Sequence, residues 1–222
     1  MDVNVAIKYI RQHIELFGDE IYTLIDDNYI KKSNSYRSFQ ETLKSFKASI
    51  ENCEKCNLSI TRNKFVFGSG DPNADLLLVG EGPGEEEDSK GEPFVGKAGK
   101  LLDKILKAIG YGRNYNVFIA NIVKCRPPEN RNPLPSEVEK CTPHLVTQIN
   151  LIKPKLIVAL GKVAGQTLLK QEFLIKEMRK KTHNYNDIPL IVTYHPAALL
   201  RNPSLKLDVW EDFQYIRDFM KS

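Results

Sequence analysis

Four cysteines are the residues whose type and spacing point most directly to chemistry. They stand as Cys53-x2-Cys56, then Cys125, then Cys141 after fifteen intervening residues. A C-x-x-C pair brings two thiolates within reach of one metal centre. Cys125 follows an apolar run and Cys141 lies in the helical stretch after it, so two such clips can meet and offer four sulfurs. All-thiolate ligation suits zinc or an iron–sulfur cluster, and no cysteine is left over. Disulfides are a competing use that an intracellular chain disfavours; four reduced, unliganded thiols are the other. The 68-residue gap between Cys56 and Cys125 matches neither a zinc ribbon nor a ferredoxin run. A structural centre is expected rather than an electron carrier.

A second group of candidates lies just past three apolar runs. The first run leads into Gly80-Glu81-Gly82-Pro83-Gly84. The second carries Asn121 near its end, followed by Lys124-Cys125-Arg126-Pro127-Pro128. Another delivers Tyr194-His195-Pro196. The glycine loop fits neither GxxxxGK[ST] nor GxGxxG. The acids that follow it, Glu85-Glu86-Glu87-Asp88, would repel a phosphate. A neutral ligand approached closely by backbone is the better reading, and a tight turn with a solvated acidic face is the alternative.

The elements that must position these residues are legible as alternating patterns. Apolar runs at 75–80, 117–123, 155–160 and 189–194 are rich in Val, Ile and Leu, as strands of a buried parallel sheet are. Helical stretches at 98–109, 136–151 and 163–169 separate them, the second opening on a Ser136–Glu139 capping box. Leu207, Trp210, Phe213 and Phe219 suit a final helix. Strand–helix alternation implies right-handed crossovers and helices on both sheet faces. Ligands of such sheets bind beyond the carboxyl ends of the strands. Glu81, Asn121 and His195 therefore converge on one rim, although 40 and 74 residues separate them.

Residues 1–50 read as a helical appendage. Val3, Ile7, Ile10, Ile14 and Phe17 form one apolar helical face, and Phe39, Leu43, Phe46 and Ile50 form another after a Lys31–Ser35 linker. The expected organisation is an N-terminal extension over 1–50 and one α/β domain over 51–222. With 222 residues, of which 41% are hydrophobic, the chain can bury a sizeable core. Its longest apolar run is about six residues, too short for a bilayer. The N-terminus lacks the features of a secretory signal. A soluble, cytoplasmic protein is expected. Net charge is +4, from 32 basic and 28 acidic residues, which permits a polyanionic partner without requiring one.

Taken together, four segments resemble the family 4 uracil-DNA glycosylases, the iron–sulfur branch of their superfamily: GEGPGEEED at 80–88, GEPFVGKAGKLLD at 91–103, NIVKCRPPENRNP at 121–133 and HPAALLRNP at 195–203. The cysteines fit the same family, and the likeness spans roughly 50–220. The resemblance implies a three-layer α/β/α sandwich around a short, mostly parallel, four-stranded sheet. It implies a structural [4Fe-4S] cluster held by Cys53, Cys56, Cys125 and Cys141. It also implies hydrolysis of the N-glycosidic bond of deoxyuridine in DNA by base flipping, leaving an abasic site.

On that reading Gly80 and Gly82 line the uracil pocket and Phe94 stacks on the flipped ring. Asn121 reads the N3–H and O4 edge, which rejects cytosine. His195 donates to O2, where charge builds as the bond breaks. Gly82 has no side chain for the water. Glu81 is the favoured water-orienting group and Glu87 the second candidate. Leu199 would wedge into the duplex and Arg201 meet a phosphate, with Lys97, Lys100, Lys124 and Arg126 as further phosphate contacts. No Lys-Arg-Arg-Ile-His run is present, so a turnover enzyme is expected. A monomer is expected, acting on uracil-containing DNA, with room for a replication or repair protein partner. The rival reading is a metal-stabilised nucleic-acid-binding module without catalysis.

Overall fold

The computed structural model describes residues 42–221. The first predicted helix, the linker and Phe39 lie outside them. Residues 42–50 are helical (α1), with Leu43 buried and Phe46 and Ile50 packed on the same core.

The sheet has six strands in the order β1-β3-β2-β4-β6-β5. β2 (Leu76–Gly80), β3 (Val117–Asn121), β4 (Leu156–Leu160) and β6 (Ile188–Thr193) form its parallel centre. These are the four predicted runs, and β2, β3 and β4 are buried at every position. The expected four-stranded sheet is corrected by two antiparallel edges, β1 (Ser69–Gly70) and β5 (Thr182–Tyr185). Neither has an apolar run. β1 is two small residues, and β5 reads Thr-His-Asn-Tyr with alternating exposure, as a half-solvated edge does.

Alternate side chains of each central strand face opposite sides. Leu77, Val79, Ile157 and Ala159 pack with Leu145, Ile149 and Leu168. These come from α5 (Pro135–Ile152) and α6 (Lys162–Leu169). Leu76, Leu78, Val158 and Leu160 pack on the other face with Leu102, Leu106, Leu199 and Phe213. Those belong to α4 (Lys97–Ala108), α8 (Pro196–Arg201) and α9 (Leu205–Phe219). The short helices α2 (Leu58–Thr61), α3 (Glu85–Lys90) and α7 (Ile175–Met178) and a 3-10 turn at Pro128–Asn130 complete the elements of the described residues. The result is the expected three-layer α/β/α arrangement.

The capping glutamate of α5 is Glu137, not Glu139. The helix begins at Pro135, and the Glu137 carboxylate accepts the Leu134 N–H at 2.7 Å while pairing with Arg131. The chain leaves β2 for β3 on one side and later returns to β4 on the other. Ligands of open α/β sheets bind beside such a reversal, at the carboxyl ends of the central strands.

Candidate active site

Gly80 and Asn121 are paired neighbours at the ends of β2 and β3. Gly161 follows β4, with a left-handed φ of 100° and its N–H on the Thr193 carbonyl at 2.8 Å. His195 lies two residues beyond β6. The rim is compact at Gly80. A Cβ there would sit 2.5 Å from Asn121 Oδ1 and 2.6 Å from Phe94 Cζ. The Phe94 and His195 rings stand 5.3 Å apart, tilted by 30°. An amide and a benzene ring thus meet at Gly80, and an imidazole from a third segment lies against the same benzene ring.

Asn121 is 1% exposed, and its Oδ1 is buried with no hydrogen-bond partner. Such an acceptor is costly unless a ligand supplies a donor. Its main chain is held independently, because Lys124 Nζ donates to the Asn121 carbonyl at 2.9 Å and to Gln148 Oε1 at 2.5 Å. Lys124 is fully buried, which corrects its reading as a phosphate contact. Burial draws its ammonium down to about 8. Lys97, Lys100 and Arg201 are exposed, and Arg126 is half-buried with an ion pair to Glu85 at 3.9 Å.

His195 caps α8, its Nδ1 accepting the Ala197 N–H at 3.1 Å. That bond leaves the ring proton on Nε2. Burial lowers the imidazolium to about 4, with the Arg201 charge adding and Glu87 opposing. His195 is therefore neutral near pH 7. The strand end before it is anchored by a buried pair, Arg179–Asp212 at 2.8 Å. Thr193 donates to the same carboxylate at 2.6 Å, and the guanidinium lies 4.5 Å from the Tyr194 ring centroid.

The two candidate carboxylates differ. Both oxygens of Glu87 are engaged: Oε2 accepts from Gly84 N, and Oε1 from Val95 N and Gly96 N. Glu87 latches the glycine loop to the Phe94 segment. Glu81 has no hydrogen-bonded or ion-paired partner for its carboxylate among the described residues, and burial raises its pKa. Gly82 leaves no room for a side chain, since a Cβ would lie 2.7 Å from Val123 Cγ2.

Leu199 as the duplex wedge is corrected. It is 1% exposed and packs in the core beneath α8, whereas Leu200 is 48% exposed. A separate groove between α5 and α6, lined by Val138, Val146 and Val163 among others, contains none of these residues.

All four cysteines are free thiols. Burial pushes Cys125 up to about 11, the charges of Cys141 and Cys56 adding and Arg62 opposing. Burial likewise raises Cys141, with Lys124 opposing and Cys56 and Cys53 adding. Arg62 Nη1 donates to Cys125 Sγ and Lys124 N to Cys141 Sγ, each at 3.3 Å, and His144 Nε2 lies 3.3 Å from Cys53 Sγ. Among the described residues, no three His, Cys, Asp or Glu groups converge as ligands of one metal ion. The adjoining helix is tied to the rim, since the buried Asp88 of α3 accepts Asn63 N, Asn63 Nδ2 and Lys64 N.

Comparisons with known proteins agree with this geometry. Residues 67–214 match the family model described as the uracil DNA glycosylase superfamily. The chain is 44% identical over 184 residues to a type-4 uracil-DNA glycosylase of Archaeoglobus fulgidus, covering 79% of this chain and 92% of that protein. It is 43% identical over 186 residues to the type-4 enzyme of Sulfurisphaera tokodaii, covering 80% and 84%. With two thirds or more of each such relative spanned and the strand-end residues in place, the chain belongs to the type-4 branch of the uracil-DNA glycosylase superfamily.

Proposed function

We propose that this chain hydrolyses the N-glycosidic bond of deoxyuridine in DNA, releasing uracil and leaving an abasic site. The single observation that carries the reading is the buried, unpartnered Oδ1 of Asn121 beside Phe94 and His195. An acceptor held there takes a donor from a planar ring lying on Phe94, and uracil N3–H is such a donor. Cytosine offers a bare acceptor at that position and leaves Oδ1 unpaired.

A base inside a duplex is out of reach and must be flipped. Leu200, not Leu199, is the residue placed to fill the space it leaves, and Arg201, Lys97 and Lys100 face the backbone phosphates. As the C1′–N1 bond breaks, its electron pair passes to the uracil ring and charge builds on O2. The neutral His195 donates its Nε2–H to that oxygen. Water adds its oxygen to C1′, and Glu81, with its raised pKa, orients it and takes the proton. Glu87 holds the loop that carries these groups.

Cys53, Cys56, Cys125 and Cys141 would hold a [4Fe-4S] cluster, which supplies a cross-link between segments rather than a reaction step. Among the described residues no helix is long and apolar enough to cross a membrane. Monomeric action in the cytoplasm on uracil-containing DNA completes the proposal.

A labelled oligonucleotide with one uracil, treated with protein and then alkali, tests the function. Cleavage at uracil and not at cytosine or thymine supports it. No cleavage by metal-loaded protein that still binds the DNA supports the binding-module reading instead.

A further inference from the structure

The Phe94 backbone sits in the left-handed region, with φ of 54°. A bulky aromatic residue rarely adopts that conformation, and it persists only where surrounding bonds enforce it. Three such restraints are visible. Arg113 Nη1 donates to the Pro93 carbonyl at 2.7 Å, and Nη2 donates to the Phe94 carbonyl. The Glu87 carboxylate takes the next two N–H groups, of Val95 and Gly96. Gly99, in the first turn of α4, admits the Phe94 carbonyl where any Cβ would overlap it.

We propose that Arg113 is a positioning residue for base recognition, its guanidinium fork fixing the left-handed turn that holds the Phe94 ring over Gly80 and beside His195. The inference rests on the uracil-excision reading above. Arg113 lies 19 residues beyond Phe94, in the loop between α4 and β3. It is itself aimed by Asp103 of α4, which accepts from Nε at 2.7 Å. Nε, Nη1 and Nη2 are thus all committed within the protein, and the side chain is 22% exposed. That pattern belongs to an internal clamp, not to a phosphate contact. Only a planar fork spans one carboxylate and two successive carbonyls, so lysine cannot replace it. Without the fork, two carbonyls lose their donors and the turn relaxes toward ordinary backbone. The ring then leaves the position where it meets Gly80, Asn121 and His195.

The test is single-turnover uracil excision by the cluster-loaded chain and its R113Q, R113K, D103N, F94A and R113Q/F94A variants. Affinity for duplex bearing a tetrahydrofuran abasic analogue is measured in parallel. That analogue has no base to stack. R113Q and R113K should each slow excision by about tenfold or more, the scale expected when a binding group is misplaced by an ångström. D103N should slow it less, in the same direction. R113Q/F94A should be no slower than F94A, because the two residues act as one unit. Abasic-duplex affinity should stay within about twofold throughout, since phosphate contacts rather than stacking set it.

Excision by R113Q at the unaltered rate overturns the proposal. Independent, multiplying losses in the double variant do so too, as does abasic affinity falling in step with excision. If R113Q fails to fold, D103N decides: unaltered excision by D103N overturns the clamp. An unaltered chain that excises no uracil overturns the functional reading, whereas an active one with an unimpaired R113Q removes only the clamp.

Discussion

Replacing Asn121 by Ala should separate function from stability. The side chain makes no hydrogen bond through Oδ1 in the free protein, and an unsatisfied buried acceptor costs about 1–3 kcal/mol. Alanine removes that cost. It leaves a void of roughly 40 Å³, which at about 24 cal/mol per Å³ costs about 1 kcal/mol. The main chain stays anchored through Lys124. The net change runs from about zero to about 2 kcal/mol of stabilisation, so Tm should hold or rise by up to about 8 °C. The variant also loses two hydrogen bonds to the base edge. At about 1.5–3 kcal/mol each in a desolvated site, single-turnover excision should fall by about 10²–10⁴. Thermal unfolding and a single-turnover gel on the same preparation read both quantities. A Tm lowered by more than about 8 °C with activity falling in step refutes the reasoning, because Asn121 would then be a framework residue. A rate within about threefold of the unaltered chain refutes it from the other side.

Other outcomes follow from the same geometry. Gly80→Ala forces a methyl against Asn121 Oδ1 and Phe94, so it should cost about 1–3 kcal/mol in unfolding and slow excision at least tenfold or so. Leu199→Ala should cost about 2–5 kcal/mol as a core truncation. Leu200→Ala should leave Tm within about 2 °C yet slow excision from duplex more than from single strands, which paired melts and assays will show. His195 has a folded pKa near 4, below its ordinary 6.5, so the unfolded chain binds more protons between those values. Its contribution to stability is full above about 6.5 and is lost as pH falls toward 4; denaturant titrations of His195→Gln should lack that share of the acid sensitivity. Cys141→Ser should lower iron and acid-labile sulfide together and depress Tm, and a chelator that strips zinc alone should leave the unaltered chain unchanged.

Much of this was legible in the sequence, and the failures have physical causes. The central strands declare themselves through apolar runs rich in Val, Ile and Leu, because both faces of β2, β3 and β4 and the last four residues of β6 are buried. The edges β1 and β5 carry no such signal, since half of each is met by solvent or backbone. Asn121 and His195 could be singled out because strand ends of an open α/β sheet are where ligands sit, whereas Phe94, between α3 and α4, was named only through the family resemblance. Which of Leu199 and Leu200 faces DNA depends on the rotation of α8 on its neighbours, which adjacent identical residues cannot reveal. Lys124 looked like surface charge because the pattern holds no trace of its distant partner, Gln148. Arg113 sits among Gly112, Asn114 and Asn116, so it reads as an ordinary loop cation until its three acceptors are seen.

The most direct measurement is a crystal structure of the chain soaked with free uracil. The account predicts one pyrimidine stacked on Phe94, its N3 about 2.7–3.2 Å from Asn121 Oδ1 and its O2 facing His195 Nε2. Uracil bound at any other surface, with Asn121 Oδ1 making no contact to it, would contradict the account.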